Sequence, residues 1–164
     1  MAKQLLSLKE NSKRNTMLID TVKSSLTKDL KKLRDEIALY RDEQNIWKVE
    51  GAIPNSAGNL CLHLLGNLNT YIGQQIGKTG YVRNRDLEFS LKNVPRQELL
   101  SRIDETIQVV NNSLDKLDEP ALEKEFPMLV FEEMTSTEYL LVHLCTHFTY
   151  HLGQVNYHRR LIDK

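Results

Sequence analysis

The sequence predicts an all-α protein, a four-helix bundle with a long connection between its second and third helices. Apolar residues recur at spacings of three and four in four long segments, which is the period of an amphipathic helix. No segment of any length shows the alternation typical of a β-strand. All four prolines lie between the helical segments, where proline ends helices. The predicted helices span residues 16–43, 57–76, 96–117 and 135–161.

The first predicted helix follows a polar N-terminal segment. Residues 1–15 contain no proline or glycine and are interpreted as an arm or a frayed helical start, and residues 16–164 as one domain. The charged run from Lys28 to Glu36 is interpreted as the solvated face of the helix. The apolar stripe of this helix consists of Leu18, Ile19, Val22, Leu26, Leu30, Leu33, Ile37 and Leu39.

The breaks in the pattern place the next two helices. Gly51 and Pro54 interrupt the chain before the second helix, and Asn55 or Ser56 can cap its first turn. The connection at residues 77–95 is longer than a tight turn between antiparallel helices and would let the chain cross the bundle. Its charged residues, which we interpret as members of surface ion pairs, are Arg83, Arg85, Asp86 and Glu88.

The last helix begins with the pattern of a capping box. The hydroxyl of Thr135 and the side chain of Glu138 are spaced to accept hydrogen bonds from free backbone N–H groups of the first turn. The third helix, which precedes it, carries an apolar stripe that packs toward the same core. The members of that stripe are Leu99, Leu100, Ile103, Ile107, Val110 and Leu114.

Charge balance and hydropathy argue against several classes of protein. The 164 residues include 22 Lys+Arg and 22 Asp+Glu, so the formal net charge is +0. Nucleic-acid and anionic-membrane partners normally require a basic surface, and we expect neither. No run approaches the roughly 18 apolar residues that span a bilayer. The charged N-terminal sequence lacks the apolar region of a signal peptide, so we expect a cytoplasmic protein.

The histidines suggest a metal site. Four of the five lie in the last helix, where His147 and His151 are four residues apart and therefore share one helix face. Two imidazoles form a weak site, so a third ligand must come from another element, and His63 is the only histidine outside this helix. Three protein ligands with an open position are typical of a catalytic metal. Ordinary core or surface histidines at the same spacing are the alternative.

Three polar residues are expected to surround this site. Asn67 lies four residues after His63 and can hydrogen-bond near a metal or substrate, or make a polar contact between helices. His143 is expected at the rim of the site. Gln154 is close enough along the helix to orient a ligand or a bound water.

Two cysteines and the last histidine are expected to lie outside the site. Cys61 and Cys145 each lie two residues before a proposed ligand, about 200° around the helix, and are interpreted as small buried hydrophobic residues. His158 lies about 10 Å further along the axis than His151. It is interpreted as an exposed or hydrogen-bonded histidine near the helix end.

Sequence motifs of several other chemistries are missing. The chain contains no G-x-S-x-G elbow, no phosphate-binding P-loop and no G-x-G-x-x-G dinucleotide turn. The residues between His147 and His151 are Phe-Thr-Tyr, so the His-Glu-x-x-His pattern of zinc proteases is absent and the helix supplies no general-base glutamate.

Three segments together carry a resemblance to a known family. NSAGNLCLHLLGNL, RNRDLEFS and HLCTHFTYHLGQVNYHRRL resemble the DinB-like, or YfiT-like, superfamily, from about Asn55 to the C-terminus. The resemblance implies a four-helix bundle, often a homodimer, that holds a divalent metal, commonly zinc or nickel. The metal ligands it implies are His63, His147 and His151. The family name refers to DNA damage and does not imply DNA binding.

The resemblance also implies a class of chemistry. Relatives include bacillithiol S-transferases and mycothiol-dependent isomerases, so a low-molecular-weight thiol is a candidate cofactor. We therefore hypothesise a metal-dependent thiol S-transferase acting on electrophilic small molecules. The alternatives are a metal-dependent hydrolase and a non-catalytic metal-binding or stress-related bundle protein.

Overall fold

The computed structural model describes residues 2–164, with side chains described from residue 17 onward. Over these residues the chain forms six α-helices together with a 3-10 turn at Glu43–Trp47 and a π-helical turn at Asn69–Gln74 that continues α2. The helices are α1 at Ala2–Ala38, α2 at Ala57–Leu68, α3 at Arg85–Ser90, α4 at Arg96–Leu114, α5 at Glu119–Glu123 and α6 at Thr137–Ile162.

The predicted all-α class is confirmed. The four long helices, α1, α2, α4 and α6, pack into a bundle with a shared apolar core. Within residues 2–164 the only β pairing is an isolated bridge between Glu125 and Ser136. The short helices α3 and α5 lie in segments that the sequence pattern left as connections. Their six and five residues are too few to show a helical period.

The bounds of α1 differ from the predicted ones at both ends. The helix begins at Ala2, so the segment interpreted as an arm or a frayed helical start is helical from that residue onward. Side chains before Met17 lie outside the described residues, so the division between an arm at 1–15 and a domain at 16–164 stays a prediction. The helix ends at Ala38, because the N–H groups of Arg41 and Asp42 donate to the Asp163 carboxylate and not to the preceding turn.

Two predictions for the faces of α1 are wrong. Leu39 lies beyond the helix end and is 57% exposed, so it does not belong to the apolar stripe. Asp29, interpreted as solvated, is buried and accepts a hydrogen bond from the Thr149 hydroxyl of α6 at 2.8 Å. A buried carboxylate requires such a partner, which only the tertiary structure supplies.

The second helix is buried on all sides and packs between neighbouring elements. Ser56 caps it by accepting a hydrogen bond from the Asn59 N–H at 3.2 Å. Gly58 lies against the Trp47 ring, and a Cβ at this position would come within 2.6 Å of it. The following π-helical turn is a local widening that proteins often use near functional sites.

The cap of the last helix lies one residue later than predicted. Ser136, not Thr135, precedes the first helical residue, and its hydroxyl accepts a hydrogen bond from the Tyr139 N–H at 3.2 Å. Thr135 is instead engaged through its carbonyl, which accepts from the Phe126 N–H at 2.8 Å. In a run of three hydroxyl residues, this backbone pairing selects the residue that caps the helix.

The helices of residues 2–164 differ in length and in hydropathy. None of them combines the length and the apolar character that a membrane-crossing segment requires.

Candidate metal centre

Three histidines from two helices converge at one point. His63 lies in the middle of α2, and His147 and His151 lie one turn apart in the middle of α6. The ring centroid of His63 is 5.3 Å from that of His147 and 5.4 Å from that of His151, and the latter two are 4.6 Å apart. One ligand nitrogen from each ring lies within 4.8 Å of the others. Three imidazoles so arranged can hold a metal ion.

The imidazole of His63 is oriented by a buried carboxylate. Its Nδ1–H donates to Glu88 Oε2 at 3.0 Å, which leaves the Nε2 lone pair free to bind a metal. Glu88 also accepts from Arg83, whose Nε is 2.6 Å from Oε1 and whose NH2 is 2.8 Å from Oε2. Carboxylates that accept from the second nitrogen of a ligand histidine fix its tautomer and raise its basicity.

Arg83 and His63 stabilise the ionised form of the Glu88 carboxyl group. Burial alone would raise the pKa of the carboxyl group, but the hydrogen bonds and charges of Arg83 and His63 outweigh burial and hold the pKa below its usual range. The carboxylate is therefore charged at neutral pH and acts as an acceptor toward His63.

Glu88 is a site residue that the sequence pattern did not reveal. We interpreted it as part of a surface ion pair, but its exposed fraction is only 5% and it lies against α2. Gly66 makes this approach possible, because a Cβ there would collide with the Glu88 carboxylate. The available signal was a glycine three residues after His63, in the middle of a buried helix where glycine costs stability.

The other two histidines are presented differently. His151 Nδ1–H donates to Gln154 Oε1 at 2.6 Å, which again leaves Nε2 as the ligand atom. His147 has no hydrogen bond from either ring nitrogen to any described residue. Burial, followed by the charges of neighbouring histidines and Arg83, lowers the pKa of His147 to about 4. Burial also lowers the pKa of His151, against the opposing effect of Gln154. Neutral imidazoles are the form that binds metals.

The remaining candidates lie around these rings. The Asn67 amide nitrogen is 3.1 Å from His63 Nε2, on the lone pair that a metal would use, so metal binding requires this amide to turn away. His143 lies at the rim, with its ring centroid 5.8 Å from that of His147 and 4.7 Å from that of Phe131. Catalytic roles for Asn67, His143 and Gln154 stay predictions.

His158 and the two cysteines do not take part in the cluster. His158 is buried and hydrogen-bonded to the Tyr40 hydroxyl at 2.7 Å and to the Lys48 carbonyl at 2.8 Å. Burial raises the pKa of the Cys61 thiol to about 12 and that of Cys145 to about 11. Thiols that stay protonated at neutral pH are poor metal ligands.

A pocket of about 300 Å³ opens onto the histidines. His63 and His147 are among its lining residues, together with His143 and Phe131, so two of the three candidate ligands face a space that a small molecule can enter. A separate cavity of about 410 Å³ lies on the far side of Glu88, between α2 and α4. No histidine or cysteine lines that second cavity.

Comparison with protein-family models identifies the family of this chain. Residues 14–164 match the model described as "Protein of unknown function (DUF1572)". The match covers nearly the whole chain, including α2, α3 and α6, and the chain therefore belongs to this family. Searches of curated proteins and of solved structures gave no match.

Proposed function

We propose that this protein is a DinB-like metalloprotein in which His63, His147 and His151 bind one divalent ion. Zinc and nickel are the first choices, since both accept imidazole ligands. The observation that carries the proposal is the convergence of three imidazoles from two helices, with ligand nitrogens within 4.8 Å of one another. Two ligand nitrogens of a tetrahedral zinc are about 3.4 Å apart. Small ring rotations would therefore bring these three into place.

We further propose that the protein transfers low-molecular-weight thiols to electrophilic small molecules. A divalent ion at this site would supply Lewis acidity, which lowers the pKa of a thiol that reaches it. The pocket beside His63 and His147 has room for a small thiol and an electrophile together. Bringing both reactants into one pocket removes much of the entropic cost of their reaction.

The surrounding residues have defined parts in this scheme. Glu88 and Gln154 orient His63 and His151 through their Nδ1–H groups. A metal bound to the Nε2 lone pair of His63 would displace the Asn67 amide nitrogen from it. The amide of Asn67 could then turn toward a bound substrate. Phe131 and Val130 supply an apolar wall for the electrophile.

A carboxylate that could act as a general base is missing from the residues that line the pocket. Zinc proteases of the His-Glu-x-x-His type use a glutamate near the metal as the general base. No aspartate or glutamate lines the pocket, and Glu88 already accepts from both Arg83 and His63. A hydrolase and a non-catalytic metal-binding bundle are kept as outcomes of the test below.

Turnover of a chloro-dinitroarene with bacterial thiols tests the proposal. Metal-loaded wild-type protein and the His158→Gln variant are expected to form the thioether, and the His147→Ala variant is expected to lose this activity. Ester or amide turnover without any thiol would identify a hydrolase. Full metal occupancy with no turnover of either kind would leave a non-catalytic metal-binding protein. The predicted cytoplasmic location and homodimer are part of the proposal and require separate measurements.

A further inference from the structure

The lining of the metal-site pocket is positively charged. It includes Arg83 and Arg85, and it includes no aspartate or glutamate. Such a lining concentrates anions, since a concave site of low dielectric strengthens the field of its charges. The charge matters for the substrate only if one of the two arginines is not already neutralised.

The two arginines differ in this respect. Arg83 is largely buried and makes two hydrogen bonds to the Glu88 carboxylate, which offset its charge. Arg85 is exposed at the mouth of the pocket, and no carboxylate of the described residues lies within 4.0 Å of its guanidinium group. The pocket therefore carries one positive side chain whose hydrogen-bond donors face solvent.

Arg85 is held near the histidines by an aromatic ring. Its Cζ atom lies 5.9 Å from the ring centroid of Phe89, one turn later in α3. The same ring lies 5.1 Å from that of His63. Stacking on Phe89 limits the motion of the guanidinium group while leaving its edge free to bind an anion. The contact places the positive charge of Arg85 at the pocket mouth, where the Phe89 ring lies between Arg85 and His63.

We infer that Arg85 binds a carboxylate of the substrate. The thiol accepted by this site would then be one that also carries a carboxylate group. This inference rests on the proposed function and adds a substrate class to it. A guanidinium edge matches the two oxygens of a carboxylate. The thiol end of such a substrate would lie toward His63 and His147, and its carboxylate would lie at the mouth of the pocket.

A pair of matched thiols tests the inference. Calorimetric titration of metal-loaded protein with 6-mercaptohexanoate and with 6-mercaptohexanol compares two ligands that differ only in their distal group. Wild-type protein is expected to bind the acid about tenfold more tightly, as a charge-assisted hydrogen bond would give. The Arg85→Gln variant should lose most of this preference and bind the alcohol unchanged. Arg160→Gln, at an exposed arginine of α6 outside the pocket, should keep the wild-type preference.

The outcomes separate this inference from the proposed function. Equal affinities for the two thiols in wild-type protein, or the same preference in Arg85→Gln as in wild type, would overturn the anion site. An Arg85-dependent preference for the acid supports the anion site, and affinities of both thiols that stay the same in metal-free protein count against thiol binding at the metal. Tight binding of both thiols without any effect of Arg85 supports thiol chemistry and rejects the anion site.

Discussion

Glu88 determines how His63 is presented to a metal. The carboxylate accepts the Nδ1–H of His63, Arg83 keeps it ionised, and Gly66 leaves the space it occupies. A histidine without such a partner can rotate or change tautomer, and both lower its affinity for a metal. The orientation of one candidate ligand therefore depends on a residue 25 positions away in the sequence.

The Glu88→Gln substitution tests this dependence. It keeps the size of the side chain but removes the charge that Arg83 and His63 share, so we expect the dissociation constant for zinc to rise about 10- to 100-fold. Competition with a chromophoric chelator measures the constant. Asp86→Asn, at an exposed position of the same short helix, is the matched control and should bind zinc as wild type does. Unchanged affinity in Glu88→Gln would show that the carboxylate does not orient the ligand.

The site residues differ in how far the sequence predicts them. His147 and His151 share a helix, so their spacing alone places them on one face. His63 could be selected because histidine is rare in this chain. Glu88 could not be predicted in this way, because it stands in a charged segment whose pattern indicates solvent exposure. Its burial depends on how the connection folds back on α2. Long-range packing of this kind leaves no periodic signal.

At the scale of elements, the contact between α2 and α3 depends on Gly66. Gly66→Ala would place a Cβ against the Glu88 carboxylate, and we expect the displaced carboxylate to weaken zinc binding about tenfold or more. Gly153→Ala is the matched control in α6, where nothing lies within 4 Å of the added Cβ. It should stabilise the protein by about 0.8–1.0 kcal/mol and leave zinc affinity unchanged. Chelator competition and thermal unfolding of both variants measure these effects. Equal zinc affinity in the two would argue against the role of this close packing.

The ends of α1 and α6 are joined through His158. Its Nε2–H donates to the Lys48 carbonyl and its Nδ1 accepts from the Tyr40 hydroxyl, an arrangement that only the neutral ring provides. Burial lowers the pKa of His158, and the hydrogen bond to Lys48 opposes this effect without cancelling it. The contribution of His158 to stability is therefore fully present above about pH 6.5 and is lost as the pH falls through its lowered pKa.

The His158→Gln variant tests both the hydrogen bonds of His158 and its effect on the pH dependence of stability. We expect its free energy of unfolding at pH 7 to fall by about 1–3 kcal/mol, because the buried Tyr40 hydroxyl and the Lys48 carbonyl both lose a partner. The variant should also lose less stability than wild type between pH 7 and pH 5, because it lacks this titrating ring. Urea unfolding at the two pH values measures both quantities. An identical pH dependence in wild type and variant would exclude His158 as a source of acid sensitivity.

At the scale of the whole molecule, the sequence predicted the bundle but not its short helices. Each long helix carries an apolar stripe over several turns, and such stripes specify a shared core. The short helices α3 and α5 instead depend on single capping residues, Asn84 and Asp118, whose side chains accept from backbone N–H groups of the first turn. The pattern therefore predicted the framework, while the segment that completes the candidate site was interpreted as a loop.

The outer surface of α6 bears on the predicted homodimer. Residues 139–158 contain no aspartate, glutamate, lysine or arginine, although this stretch exposes Tyr139, Val142, Tyr150 and Tyr157. An uncharged surface with large exposed side chains is typical of an interface, and its lack of charge leaves no repulsion between two copies.

Sedimentation at several protein concentrations tests this surface. We expect wild-type protein to dimerise and Tyr157→Lys to shift toward the monomer, because two introduced lysines would be buried in the interface. Leu39→Lys, at an exposed apolar position at the end of α1, should dimerise as wild type does. A monomeric wild type, or a Tyr157→Lys variant that dimerises normally, would reject the surface.

The metal content of untagged protein tests the central claim most directly. Elemental analysis should find about one divalent ion per chain in wild type, as expected for a single three-histidine site. His158→Gln should match wild type, because its histidine lies outside the cluster, and His147→Ala should retain little or no metal. Equal metal content in wild type and His147→Ala would contradict the claim that His63, His147 and His151 form one metal site.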